Sequence, residues 1–318
     1  MPLAGALRIL TASFLTCALG LVAFPVHANA DLEQAESAFD DGDPGTALDI
    51  LDAAIAVGLT NDDDQRKAYF LRAAVLRDLG QAEAAIADYS QVLSADPSDL
   101  FALFNRGNLH YQLARMEDAL RDYDQALQIK PDFAEAHFNR ARSLYLLGRR
   151  EDALVALELL HELSPNHGPG FALMGNILFR TGQAEAALSA YDRAIALVPD
   201  DAEVRFNRAT VLADQRRYRE AITAYDAAIA LEPQAADGYF NRGNIYWALG
   251  ESERALADFS TAIGHQNDHA GAYFNRGLIQ EAQGNRLGAI SDFRRAYEIN
   301  PDNDIISQKA RSLGISNP

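Results

Sequence analysis

The sequence repeats itself with a period of about 34 residues, and this period constrains the fold more strongly than any other feature of the chain. Six prolines follow the period, with Asn267 standing where a seventh would fall: Pro97, Pro131, Pro165, Pro199, Pro233 and Pro301. Alanines recur in the same way: Ala85, Ala119, Ala153, Ala187, Ala221, Ala255 and Ala289. A unit of this size cannot bury its apolar face alone, so similar units are expected to stack into an array.

Each unit is predicted to contain two helices, because its apolar positions are three and four residues apart. In residues 236–269 the first helix has Tyr239, Gly243, Tyr246 and Gly250. The second helix has Ala255, Phe259, Ala262 and Ile263. The proline ends the second helix, since it lacks an N–H and clashes with the preceding turn. The residues predicted to cap the next first helix are Ser98 or Asp99, and likewise Asp132 or Asp200.

Small residues occupy two positions of the period, where the paired helices must cross closely. One is the alanine row above. The other alternates between glycine and alanine: Ala73, Gly107, Ala141, Gly175, Ala209, Gly243 and Gly277. A larger side chain there is expected to force the helices apart, at a cost of about 1–3 kcal/mol.

The unit resembles the tetratricopeptide repeat, a helix–turn–helix of about 34 residues with aromatic, Gly, aromatic, Ala, aromatic and Pro at fixed offsets. The matching residues are Tyr239, Gly243, Tyr246, Ala255 and Phe259, with Asn267 departing from the proline. The resemblance covers residues 31–303. It implies an all-α fold, a right-handed superhelical solenoid of helix–turn–helix repeats whose first helices line the concave face.

About eight such units are expected. Residues 31–65 hold a degenerate first unit and a linker, with four extra residues falling within Gly58 to Asp64. Residues 66–303 hold seven units of the full repeat length. Residues 304–318 supply a C-terminal capping helix, running from Ile305 to Leu313, that covers the apolar face of the last unit.

The N-terminal segment, residues 1–30, is predicted to be a signal peptide rather than part of the fold. Arg8 precedes a mostly apolar stretch from Ile9 to Phe24, and the small residues Ala28 and Ala30 follow at signal-peptidase spacing. The apolar stretch is short for a membrane span. Cleavage after Ala30 would place the chain in the periplasm or outside the cell, without a membrane span. Retention as an N-terminal anchor is the alternative.

Composition narrows the functional classes. The formal net charge is -17, which disfavours binding to nucleic acid. The single cysteine, Cys17, lies in the predicted signal peptide, so neither a disulfide framework nor a catalytic thiol is expected. His265 and His269 are four apart without a third ligand, and no phosphate-binding loop or nucleophile elbow occurs. The sequence therefore predicts no enzyme, no metal and no cofactor.

One stripe of the first helix is left over after the packed side is assigned. Phenylalanines line one row of it: Phe70, Phe104, Phe138, Phe206, Phe240 and Phe274. Asparagines line the next: Asn105, Asn139, Asn207, Asn241 and Asn275. Beside these lie a partial polar row and an outer aromatic row: Asn108, Asn176 and Asn244, then Tyr111, Tyr145, Phe179 and Trp247.

Two interpretations of this stripe stay open. A side-chain amide can hydrogen-bond a peptide backbone of any sequence, so the rows could form a peptide-binding groove. Similar asparagine ladders bind extended peptides in the repeats of O-linked N-acetylglucosamine transferase. Alternatively, the Phe row packs between helices and the Asn row caps its own surroundings. The predicted site comprises the five ladder asparagines, Phe104, Phe138, Phe206, Phe240, Phe274, Asn108, Asn244 and Trp247.

A row of arginines leans toward the packed side and is predicted to be structural. Its members are Arg72, Arg106, Arg140, Arg208, Arg242 and Arg276. A half-buried guanidinium needs a partner, and the expected partners are Asp88, Asp122, Asp258 and Asp292. The unit at 168–201 lacks the Phe, Asn and Arg members, which indicates either sequence drift or a boundary between two binding segments.

The function predicted from the sequence is that of a non-enzymatic scaffold or adaptor in the bacterial envelope, which holds an extended segment or a helix of a partner protein in the groove. The alternative is a periplasmic chaperone that assembles an envelope or secretion complex. The partner's identity and the oligomeric state stay open.

Overall fold

The computed structural model describes residues 26–59 and 61–315, with side chains described from residue 30 onward. These residues form 17 α-helices and no strand. In the first half these are α1 (Val26–Asp40), α2 (Pro44–Val57), α3 (Asp62–Asp78), α4 (Ala82–Ala95), α5 (Leu100–Gln112), α6 (Met116–Ile129), α7 (Ala134–Leu146) and α8 (Arg150–Leu163). The remainder are α9 (Gly168–Arg180), α10 (Ala184–Leu197), α11 (Ala202–Asp214), α12 (Tyr218–Leu231), α13 (Ala236–Ala248), α14 (Ser252–His265), α15 (Ala270–Ala282), α16 (Arg286–Ile299) and α17 (Asp304–Ser312).

The helices come in pairs joined by three-residue turns. Seven such pairs pack face to face: α1 with α2, α3 with α4, α5 with α6, α9 with α10, α11 with α12, α13 with α14, and α15 with α16. The turns need a backbone with positive φ, and glycine supplies it in turns such as those at Gly80 and Gly250. Ala114 and Arg216 adopt the same conformation at equivalent positions, with φ of 57° and 55°. The all-α helical-repeat solenoid predicted from the sequence is confirmed.

The described chain divides into two compact units, the first extending to Ala136 and the second beginning at His137. In the first, a cluster around Tyr89, Val92 and Leu103 joins α3, α4 and α5. In the second, Tyr191 and Tyr225 belong to one cluster that also includes Val211 and Ile245. The core of each unit is therefore a series of small clusters between successive helices.

Within a pair, the small residue of the first helix faces an aromatic ring of the second. A Cβ placed on Gly243 would lie 2.9 Å from the Phe259 ring, and one on Gly175 would lie 2.6 Å from the Tyr191 ring. Both rings are almost completely buried. The close helix crossing predicted from the alternating Gly and Ala row is confirmed at these positions.

Two local details differ from the sequence-based expectations. The four extra residues do not lengthen the linker, because residues 62–65 form an additional first turn of α3, capped by Asn61 through a 2.7 Å bond from the Asp64 N–H. The cap of α11 is Asp201 rather than Asp200, accepting from the Val204 N–H at 3.0 Å. Asp99 caps α5 as expected, with the Ala102 N–H at 2.9 Å. In each case the residue directly before the helix is the cap.

The ends of the described chain are also packed. In α1, Leu32 and Ala35 are buried against Ala47 and Leu51 of α2. At the other end, Ala310 of α17 packs in one cluster with Phe293 of α16, as expected for a capping helix. The predicted signal peptide lies outside the described residues apart from residues 26–30, which begin α1. No helix among the described residues is long and apolar enough to cross a membrane.

The contact between the small residue of the first helix and the ring of the second, here called the packing joint, predicts opposite effects for two glycine substitutions. Gly175→Ala would press a methyl group into the Tyr191 ring, so the free energy of unfolding should fall by about 1–3 kcal/mol. A Cβ on Gly264, in α14, would have no atom within 4 Å. Because alanine has the higher helix propensity, Gly264→Ala should raise the free energy of unfolding by about 0.5–1 kcal/mol. Urea denaturation followed by circular dichroism measures both. Equal effects of the two substitutions would show that the joint does not limit the packing.

Candidate functional site

The phenylalanine row lies along the first helices, and each ring of the row touches a second aromatic ring or an imidazole. Phe206 packs edge-on against Tyr225 at 5.5 Å between centroids. Phe240 lies 5.9 Å from Phe259 and 4.5 Å from the imidazole of His269. The remaining contacts are Phe70 with Tyr89, Phe104 with Tyr123 and Phe133, Phe138 with His167, and Phe274 with Phe293. The row therefore contributes to packing, although all members except Phe104 keep part of their surface exposed.

The asparagine row divides into two kinds of residue. Asn207 donates a hydrogen bond from Nδ2 to Oδ1 of Asn176, at 3.2 Å. Asn275 does the same to Asn244, at 2.7 Å. Both bonds join a first helix to the preceding first helix, 31 residues earlier. These two asparagines are thus tied to their neighbours by part of their amide.

Asn241 is different, because the residue 31 positions before it is Thr210 rather than asparagine. The Thr210 hydroxyl already bonds the Phe206 carbonyl and the Tyr225 hydroxyl, each at 3.0 Å. The Asn241 side chain makes no hydrogen bond to any residue that the structure describes, and it is partly exposed. Asn105, in the first unit, has Ala74 at the corresponding position and likewise makes none within the described chain. Asn139 is partly exposed and participates in polar contacts.

The partial polar row points toward the second helices. The Tyr123 hydroxyl donates to Asn108 at 2.8 Å, and the Tyr191 hydroxyl donates to Asn176 at 2.6 Å. The residue 15 positions after Asn244 is Phe259, which has no hydroxyl group. The Asn244 side-chain oxygen accepts a hydrogen bond from Asn275 instead. Sequence reasoning missed this pairing. Its signal is a tyrosine 15 positions after an asparagine or threonine, but helix spacing alone does not bring those two side chains together.

The outer aromatic row is exposed most clearly at Trp247. The Trp247 side chain is 37% exposed, whereas Phe179 and Tyr111 pack against the clusters of their own units. Trp247 follows Asn241 by six residues on α13, about 9 Å along the helix axis. An exposed indole and an unbonded amide on the same helix are the side chains of this stripe best suited to contact another molecule.

Four members of the arginine row are structural, as predicted. Arg242 donates two hydrogen bonds to Asp258, from Nε at 2.8 Å and from Nη2 at 2.7 Å. Its Nη1 donates a third, to Asp226, at 2.5 Å. The same fork joins Arg72 to Asp88, Arg106 to Asp122 and Arg276 to Asp292. These four aspartates are buried, and the hydrogen bonds raise the pKa of Arg242 and Arg276 above the usual arginine range. The forks fix the second helix against the first.

The unit at 168–201, which lacks the ladder residues, begins with two glycines in close contact with neighbouring helices. A Cβ on Gly168 would lie 2.5 Å from Val198, and one on Gly170 would lie 2.8 Å from Leu160. Phe171 stacks on His161 with centroids 3.6 Å apart. The start of α9 therefore has little room for a side chain at residues 168 and 170.

The paired histidines take part in helix packing. His269 caps α15 by accepting the Ala272 N–H at 3.1 Å, and its imidazole lies near Asp237. His265 packs on the Tyr239 ring. Among residues 26–59 and 61–315, no group of three or more His, Cys, Asp or Glu side chains is placed to hold a metal ion.

Four family models match the sequence. Three described as tetratricopeptide repeat match residues 101–133, residues 134–167 and, in overlapping stretches, 173–236, 206–268 and 240–304. A fourth, described as TPR repeat, matches residues 73–114. No match was found among curated proteins.

Solved structures give the same class. The chain is similar to YrrB, described as a TPR protein with an unusual peptide-binding site, at 27% identity and a TM-score of 0.51, over 58% of this chain and 95% of that one. It shares its fold with the Cut9-Hcn1 hetero-tetramer of APC/C (17% identity, TM-score 0.56, 90% of this chain and 55% of that one). It also shares it with MamA from Desulfovibrio magneticus RS-1 (20%, 0.50, 54% and 97%).

The paired helices and their packing joint define an all-α helical-repeat scaffold. The chain belongs to the tetratricopeptide repeat family, and the resemblance noted in the sequence is confirmed. Proteins with these repeats bind protein or peptide partners, and the fold generally serves as an interaction scaffold without catalysis.

One irregularity in the polar row gives a testable consequence for stability. The Tyr89 hydroxyl is buried without a hydrogen-bond partner among the described residues, because Ala74 stands where Asn108 and Asn176 serve the tyrosines of other units. This burial raises the pKa of Tyr89 to about 12. Removing an unsatisfied buried hydroxyl relieves a penalty of about 1–3 kcal/mol, so Tyr89→Phe should raise the free energy of unfolding.

Tyr191→Phe is the matched control. It removes a hydroxyl that does have a partner, so it should lower the free energy of unfolding by about 1 kcal/mol. Both values come from urea denaturation. A loss of stability in Tyr89→Phe comparable to that in Tyr191→Phe would contradict the assignment of an unsatisfied hydroxyl.

Proposed function

We propose that this protein is an exported scaffold that holds an extended segment of a partner protein along the first helices of its second unit. The observation that carries the proposal is the contrast within the asparagine row. Asn207 and Asn275 each donate one side-chain N–H to a neighbouring asparagine, whereas the side-chain N–H groups and oxygen of Asn241 make no hydrogen bond within the described chain. An exposed side-chain amide with its full capacity unused can pair with a peptide group.

The spacing of the row suits an extended backbone. Neighbouring helices pack about 8–10 Å apart, and an extended chain rises about 3.3 Å per residue, so adjacent asparagines would meet every third residue of the partner. Asn207 and Asn275 still offer Oδ1, which accepts no hydrogen bond from the described residues. In this proposal they accept from the partner's N–H groups, while Asn241 both donates and accepts.

Affinity must come largely from apolar anchoring, since each hydrogen bond contributes only about 1 kcal/mol net. Trp247 is the anchor because it is the most exposed aromatic residue of the stripe and lies on the same helix as Asn241. Phe240 contacts both Phe259 and His269, so in this proposal it forms the floor of the groove rather than an anchor. Aromatic anchors beside polar groups are typical of the residues that dominate binding energy.

The similarity to YrrB supports a peptide as the ligand class, because that protein is described as having a peptide-binding site. The predicted signal peptide supports export, which would place the scaffold in the bacterial envelope. A net charge of -17 favours basic or neutral partners over nucleic acid.

The peptide groove is tested by affinity. Peptides selected on the full chain from an unbiased phage-displayed library are synthesised, and their Kd is measured by isothermal titration calorimetry. Asn241→Ala should weaken binding about fivefold, the equivalent of one hydrogen bond, and leave the free energy of unfolding unchanged. Trp247→Ala should weaken binding more strongly.

Asn275→Ala is the matched control within the row. It removes a bond to Asn244, so it should lower stability by about 1 kcal/mol. Replacing Trp247 or Val155 with a photo-crosslinking residue locates the peptide, since both side chains are exposed but Val155 is on α8. Adducts at position 155 alone, with Asn241→Ala binding as tightly as wild type, would overturn the groove.

Export is tested separately. The full chain is expressed in a Gram-negative host, and the N-terminus of protein recovered from the periplasmic fraction is sequenced. A start at Asp31 is expected from the Ala28 and Ala30 cleavage pattern. Protein that stays in the cytoplasm with residues 1–30 intact would contradict export without affecting the groove.

A further inference from the structure

Two members of the arginine row, Arg140 and Arg208, have alanine where the others have an aspartate 16 residues later. In α3, α5, α13 and α15 the arginine is gripped by an aspartate 16 residues later. Residue 224 stands at this place for Arg208, and it is alanine. Arg208 keeps a bond from Nε to Asp192, at 2.6 Å, and its Nη1 and Nη2 atoms donate no hydrogen bond to any described residue. Two adjacent donors of the guanidinium are therefore unused.

The same arginine position can hold two carboxylates at once. Arg242 binds Asp226 on one side and Asp258 on the other. Arg72 binds Asp52 and Asp88 in the same manner. Arg208 binds only Asp192, through Nε rather than through Nη1, so its Nη1 and Nη2 atoms stay available for a second carboxylate. A planar guanidinium matches a carboxylate with two parallel hydrogen bonds.

A cleft lies where the missing aspartate would be. It is formed by α10, α11 and α12, has a volume of about 410 Å³, and is lined by Arg208, Ala224, Ala227, Ile195 and Thr223 among others. The equivalent cleft beside Arg106 has a volume of about 280 Å³. There the Arg106 fork is occupied by Asp122. The second-unit cleft is thus larger where its arginine has lost a partner.

The charged side chains of the cleft are balanced in number, but not all of them are paired. Arg205 also lines it, donating to the Pro199 carbonyl at 3.1 and 2.7 Å and forming no ion pair with a carboxylate of the described chain. The acidic lining residues are Asp192, bound to Arg208, and Glu220, held by Arg217 through two bonds of 2.8 Å. The lining therefore has two arginines and two acids, both acids are already bound by arginines, and Arg205 is the arginine that forms no ion pair.

We propose that this cleft binds a carboxylate group of a partner polypeptide, which occupies the place that Asp258 holds beside Arg242. The carboxylate accepts hydrogen bonds from Nη1 and Nη2 of Arg208, and Arg205 at the cleft adds a second positive charge. The partner's acidic side chain and its C-terminal carboxylate offer the same chemistry. The proposal does not depend on the asparagine groove, because the cleft uses neither Asn241 nor Trp247.

The test follows the arginine Nε–Hε resonances of the full chain by NMR during titration with acetate, with chloride at equal ionic strength as reference. The Arg208 resonance should shift and saturate, whereas that of Arg242, already held by two carboxylates, should not move. N-acetyl-aspartate amide and N-acetyl-alanine then distinguish a side-chain carboxylate from a C-terminal one by their relative affinities.

Ala224→Asp supplies the missing carboxylate from within the chain. It should abolish the acetate-dependent shift of Arg208 and raise the thermal midpoint, and Arg208→Gln should also abolish acetate binding. An acetate response of Arg208 no greater than that to chloride, or one that survives Ala224→Asp, would overturn the proposal. Ala224→Asp introduces the aspartate that four other pairs already contain, so this variant is expected to fold. It therefore tests the proposal even if Arg208→Gln does not fold.

Discussion

The structure depends on the contact between a small residue on the first helix of a pair and a large side chain on the second, which is an aromatic ring in all the 34-residue units except that of Leu157. Gly175 with Tyr191 and Gly243 with Phe259 allow no Cβ between them, so the two helices lie as close as their backbones permit. This closeness positions the other interactions of the pair. The ring contacts the phenylalanine row, and where the ring is tyrosine, its hydroxyl reaches the polar row. One residue earlier on each helix, the arginine reaches its aspartate, as Arg242 reaches Asp258.

Function is best sought where this regular pattern is interrupted. A repeat that satisfies each polar group internally has nothing left to offer a partner. Thr210 takes the Tyr225 hydroxyl and leaves Asn241 unbonded, while Ala224 leaves two donors of Arg208 unused. Both interruptions lie in the second unit, and each exposes a group whose counterpart in the next repeat is bonded: Asn275 for Asn241 and Arg242 for Arg208. Ala74 is a third interruption, but it buries an unsatisfied hydroxyl and so affects stability instead.

Most of the fold could be predicted from the sequence because several independent residue types follow the same period. Proline, alanine and aromatic rows each mark the same helix pairs, and the arginine–aspartate forks followed from the need to neutralise a half-buried guanidinium. The candidate site was only partly predictable. The five asparagines look alike in sequence, yet Asn207 and Asn241 differ because of residues 31 positions earlier, on another helix.

Other details depended on contacts that helix spacing does not encode. The tyrosine–asparagine bonds join residues 15 apart across a turn. The glycines that open α9 lie against Leu160, on the helix before it, and Val198, at the end of α10. The four extra residues near Gly58 could have formed a loop, but Asn61 and three consecutive aspartates favour the start of a helix, so they extend α3.

The central claim is that the groups left unbonded by the repeat pattern are those that contact a partner. The most direct measurement is NMR of the side-chain resonances of the full chain, bound to a saturating selected peptide. The account predicts that the Asn241 amide and the Trp247 indole N–H shift most, while the Asn176 and Asn244 amides, already bonded within the stripe, change little. Equal shifts along the whole row, or shifts confined to residues away from α13, would contradict it.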